Sequence, residues 1–79
     1  MYYTYRMNED RLYDEQGMEW TVYGIEALDT AGNILCCFSD IFFEQEKAKE
    51  FVQMCNEQAV EPVHIQDVID DVLAQLYSV

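Results

Sequence analysis

Met18-Glu19-Trp20-Thr21-Val22-Tyr23-Gly24-Ile25-Glu26-Ala27-Leu28-Asp29 decides how this chain folds. Trp20 and Val22 alternate with Thr21, Tyr23, Ile25 and Ala27, the two-residue period of a strand. Aromatic and β-branched side chains suit a pleated sheet surface. Gly24 interrupts the run, and an interior glycine signals a bend, a bulge or a close neighbour. Both faces carry large side chains. That leaves one face for helices and the other for a partner.

Turn chemistry bounds this strand on both sides. Asp14-Glu15-Gln16-Gly17 precedes it and Asp29-Thr30-Ala31-Gly32-Asn33 follows, each with a glycine suited to positive φ. Before the first turn, Tyr3, Tyr5 and Met7 alternate with Tyr2, Thr4 and Arg6. This predicts a strand running on through Arg11-Leu12-Tyr13, with room for an interruption at Asn8-Glu9-Asp10. After the second turn, Ile34 to Phe38 reads as a third strand. Short connections predict a three-stranded antiparallel meander.

The C-terminal half reads as helices. Ala48, Phe51, Val52 and Cys55 form one apolar stripe of a helix over 44–58, with Glu44 and Glu46 at its dipole-favoured start. Val60-Glu61-Pro62-Val63-His64 breaks the pattern, because Pro62 lacks an N–H and biases Glu61 toward extended geometry. This segment suits a linker or a short fourth strand. Ile65, Val68, Ile69, Val72, Leu73 and Leu76 then trace a second helix over 65–77, with Asp67, Asp70 and Asp71 on its solvated face. Strands first and helices after predict an α+β fold, with two helices packed on one sheet face.

Composition limits function. The 79 residues make one domain, and 51% of them are hydrophobic, too many for an acidic disordered tail. Sixteen Asp and Glu against four Lys and Arg give a formal net charge of −12. Nucleic acid and anionic membranes repel such a chain. The N-terminus lacks a signal-peptide apolar stretch, and no apolar run approaches the roughly 20 residues of a spanning helix. Three cysteines are too few for a disulfide framework, which predicts reduced thiols and a cytoplasmic protein.

No motif carries recognisable chemistry, so the expectation is no enzyme, no metal and no cofactor. Three Cys and His64 invite a zinc site, but neighbouring Cys36 and Cys37 point to opposite faces of a strand. Cys55 lies on an apolar helix stripe, where cysteine acts as a small hydrophobe. No Cys-x-x-Cys pair exists for redox work. Ser39, Asp40 and His64 could form a nucleophile–base set, but their spacing does not demand one. There is no EF-hand loop and no glycine-rich phosphate loop.

Aromatic segments are the remaining signal. Ile41-Phe42-Phe43 reads as the connector from the last strand to the first helix, either filling that junction or forming an exposed contact site. Tyr2, Tyr3 and Tyr5 pose the same alternative. These six residues are the candidate interaction surface. The expected function is a small non-enzymatic interaction or regulatory module that binds a protein or forms a homodimer. The alternative is an acidic mimic of nucleic acid that blocks a nucleic-acid-binding protein. A small-ligand or metal-binding domain is a third class, with no ligand spacing behind it.

Tyr23-Gly24-Ile25-Glu26-Ala27, Gly32, Asp40-Ile41-Phe42, Glu46-Lys47-Ala48, Phe51-Val52, Cys55-Asn56 and Pro62-Val63-His64-Ile65 with Asp67-Val68-Ile69 form a pattern along the chain. The pattern resembles a family of small uncharacterised proteins of Gram-positive, gut-type bacteria, a domain of unknown function. The resemblance runs from about Tyr5 to Leu73. It implies a bacterial, intracellular, single-domain protein and supplies no activity or site residues.

A core this small contributes only about 3–5 kcal/mol, and repulsion among the acids opposes it. Salt screens that repulsion. The melting temperature should therefore rise between low and physiological salt, and a flat thermal-melt series would contradict this.

Overall fold

A computed structural model describes residues 3–77 of the chain. Strands β1 (Tyr3–Tyr13), β2 (Glu19–Asp29) and β3 (Ile34–Phe42) form an antiparallel sheet in the order β1-β2-β3. Helix α1 (Gln45–Glu57), a 3₁₀ turn (Pro62–His64) and helix α2 (Ile65–Tyr77) follow. The fold is α+β, as the element pattern predicts. Tyr2 lies outside the described residues.

The two hairpin turns are chemical copies. In each, the aspartate carboxylate accepts two backbone N–H bonds: Asp14 from Gln16 and Met18, Asp29 from Ala31 and Asn33. In each, the glycine three residues later takes the left-handed φ that the turn needs, +78° at Gly17 and +87° at Gly32. The bonds from Asn33 are the main reason that the Asp29 carboxyl is held below its ordinary value.

The strands depart from expectation in length. β1 is continuous through Asn8-Glu9-Asp10, paired with β2 from Tyr3↔Asp29 to Tyr13↔Glu19. β3 runs four residues past Phe38, so Ile41 and Phe42 belong to the strand and not to a connector. Polar Ser39 and Asp40 hide this extension in the sequence. They sit in a bulge where Tyr23 pairs with Phe42 but Ile25 pairs with Phe38, and Asp40 has φ +58°. Gly24 makes the bulge feasible. A Cβ there would lie 1.9 Å from the Phe38 carbonyl oxygen and 2.7 Å from Asn8 Oδ1. The interior glycine thus marks both a bulge and a close neighbour.

The helices cover one sheet face. Tyr5, Ile25, Ala27 and Phe42 from the sheet meet Ala48, Phe51 and Cys55 of α1 and Ile65 and Ile69 of α2 in one core. The α2 stripe is buried only in its first half; Val72 and Leu73 are half-buried and Leu76 is exposed. Of the two readings of segment 60–64, a linker or a short fourth strand, no fourth strand forms among the described residues. Pro62 instead starts the 3₁₀ turn, where its missing N–H has no helical partner to lose.

The α1 C-terminus ties the helix layer to β1. The Tyr5 N–H donates to Asn56 Oδ1 at 2.8 Å, and Asn56 Nδ2 donates to the Tyr5 carbonyl at 2.9 Å. One side-chain amide thus stands in for a neighbouring strand. The next residues end α1 in a Schellman turn, with the Val60 N–H donating to Cys55 O and the Ala59 N–H to Asn56 O. The turn aims the Val60 carbonyl at the Tyr5 hydroxyl, which donates at 2.7 Å. Ala59 occupies the left-handed position, φ +50°, that glycine usually takes.

Asn56→Ala should cost about 1–3 kcal/mol, because it strands two edge groups of Tyr5. Ala59→Gly should gain about 0.5–1 kcal/mol, the left-handed strain less the added freedom of the unfolded chain. Denaturant midpoints measure both, and the opposite signs separate them from a general loss of packing.

Candidate interaction surfaces

The molecule is drawn out, with extents of 44 × 32 × 19 Å. Its radius of gyration is 13.4 Å, where a compact chain of this length has about 12 Å. Unequal strands contribute to this shape. β3 pairs with β2 only from Tyr23 to Leu28, whereas β1 and β2 continue together as far as Tyr13 and Glu19. The last four pairs therefore form a two-stranded arm about 14 Å long, at about 3.4 Å per residue.

The arm carries exposed apolar side chains near its tip: Tyr13 at 64%, Met18 at 63% and Trp20 at 42%. Trp20 stands directly across from half-buried Leu12 on one face of the ribbon. Glu9, Asp10, Asp14, Glu15 and Glu19 are exposed around them. Arg11 supplies positive charge and approaches Glu19 at 3.5 Å. The bonds of Asp14 fix the turn, so the tip is a defined surface. A bare two-stranded hairpin is marginally stable in water, and here the wider sheet anchors it.

The six residues that the sequence offered divide differently. Tyr5 and Phe42 are core residues at 2% and 1% exposure, which removes them from the surface. Tyr5 is held by Asn56 and Val60, and Phe42 packs on the Phe51 ring at 5.5 Å between centroids. Tyr3 and Ile41 are half-buried against the core. Phe43 is 65% exposed and makes an edge contact with Tyr77 at 6.2 Å. Beside Tyr77, a groove of about 170 Å³ opens between the helices, lined by Lys47, Glu50, Phe51, Met54, Val72 and Leu76. Small-molecule pockets usually span about 300–1,000 Å³.

The polar candidates lie apart. Cys36 packs against the core, Cys37 is exposed on the opposite face and Cys55 is buried. Burial pushes the Cys36 thiol up, and that of Cys55 to about 11, which keeps both protonated at neutral pH. Ser39 and Asp40 sit in the β3 bulge and His64 ends the 3₁₀ turn, all exposed. Among the described residues no hydrogen bond joins them, and no group of three or more His, Cys, Asp or Glu side chains is placed to hold a metal ion.

On the helix-free face, Arg6 pairs with Glu26 directly across the strands. Among the described residues, Glu26 is the one charged residue in the buried set, at 9% exposure. No helix among the described residues is long and apolar enough to cross a membrane.

Sequence reasoning placed Trp20 on a strand face but missed the arm. Trp20 shares that face with Val22, which is fully buried, so face membership alone does not predict exposure. The available signal was the length of the first hairpin relative to the third strand.

No curated protein and no solved structure matches the chain significantly. A family model matches residues 1–75, and by that match the chain belongs to a family of unknown function, DUF6514.

Proposed function

We infer that this chain is a small, non-enzymatic interaction module of the bacterial cytoplasm, in keeping with the Gram-positive gut-type resemblance, and that it meets a protein through the tip of its β1–β2 arm. The carrying observation is the exposed set Tyr13, Met18 and Trp20 flanking a turn fixed by Asp14. Aromatic anchors on a rigid element dominate binding energy at interfaces, because little side-chain freedom is lost when they dock. The surrounding acids specify the partner's chemistry: an apolar slot with a basic rim. Phosphate backbones lack that rim and are repelled. The nucleic-acid mimic shares the basic partner but draws on the carboxylates alone.

Affinity purification of the tagged chain from lysate of its own organism, at low and high salt, tests the arm. A protein retained at both salts by the wild type should be lost by the Tyr13→Ala/Trp20→Ala double variant, whose fold circular dichroism checks. Retention of the same protein by a folded double variant would refute the arm as the contact. A nucleic-acid-binding protein that leaves at high salt and ignores the double variant would favour mimicry instead.

A further inference from the structure

We propose that the outer edge of β3 is a self-association surface, at which a second copy of this chain pairs antiparallel to form a six-stranded sheet. The inference stands apart from the arm.

A three-stranded sheet has two open edges, and this one treats them differently. Asn56 bonds both main-chain polar groups of Tyr5, closing the β1 edge there. Farther along, β1 carries Glu9, Asp10 and Arg11. Covering, charge and bulges are the usual means of blocking unwanted strand pairing. β3 has neither cover nor charge along Ile34–Phe38, and its pairing with β2 is regular over Cys36–Phe38, between a register shift at Leu35 and the bulge at Ser39 and Asp40. Among the described residues, no side-chain or loop hydrogen bond reaches the main chain of that stretch. Its Ile34 and Leu35 are 56% and 50% exposed.

Charge selects the occupant. The run 30–39 contains no Asp, Glu, Lys or Arg and is the longest such run in a chain of net charge −12. Two copies repel each other over most of their surface, and least along this edge. A basic partner would find no counter-charge there. Antiparallel pairing about a two-fold axis is self-complementary, so a single strand supplies both halves of the contact. Because the β1 edge is covered at Tyr5, the second copy presents no equivalent open edge and assembly stops at the dimer.

Sedimentation equilibrium from micromolar to millimolar chain, at low and physiological salt, reads the proposal. A monomer–dimer equilibrium should appear and tighten with salt, because screening relieves the repulsion. Leu35→Glu puts like charges along the shared edge and should weaken the dimer about tenfold or more. Val63→Glu, at a residue 77% exposed elsewhere, and Trp20→Ala should leave it intact. Hydrogen exchange of the wild type gives a second reading that needs no variant: amides within Ile34–Phe38 should exchange more slowly as concentration rises. A monomer under every condition would overturn the proposal. So would a dimer whose Ile34–Phe38 amides exchange at a rate independent of concentration.

Discussion

The bond pair between the Asn56 amide and the Tyr5 main chain organises the rest of this molecule. It fixes the end of α1 to the edge of β1, and the Schellman turn after it delivers the Val60 carbonyl to the Tyr5 hydroxyl. Tyr5 can then be buried with its polar groups satisfied, which a tyrosine in a core requires. With α1 anchored at that end, Ala48, Phe51 and Cys55 lie over Ile25, Ala27 and Phe42. Ala59 keeps its left-handed backbone there because the surrounding bonds hold it. Local strain is exchanged for a fixed angle between the two layers.

A second constraint acts at Gly24. The absence of a side chain lets β3 fold in over β2, and the two extra residues of the bulge carry Phe42 back onto the core face. The bulge brings β3 to its end opposite Tyr23, so β2 and β1 extend beyond it as an arm. One missing Cβ therefore influences both the core, through Phe42, and the most prominent exposed apolar set, through Trp20 and Tyr13.

Charge and fold are divided in this chain. The acids occupy the solvated faces of both helices and their flanks, the arm, the turns and the β3 bulge, where water screens them. The exception is Glu26, which lies under Arg6 on the face the helices leave open. The uncharged run falls on the β3 edge. The two surfaces thus differ in kind: an acidic, aromatic arm and a neutral strand edge.

Much of the fold was legible in the residues. The α2 stripe from Ile65 to Leu76 set its helix because a 3.6-residue period has one local solution, and paired aspartate–glycine turns set the first two strands. Gly24 announced a bulge or a close neighbour. Cys36 and Cys37 announced opposite faces. The site was less legible. Tyr5 and Phe42 look like any aromatic in an alternating run, and only Asn56, 51 residues away from Tyr5, and the bulge at Asp40 decide that both are buried. Trp20 and Val22 share a face and both lie beyond the end of β3, yet one is exposed and the other fully buried. Local periodicity determines which elements form and which way their side chains alternate. Register, bulge and layer contact, all set between residues distant in the chain, decide which of those side chains meet water.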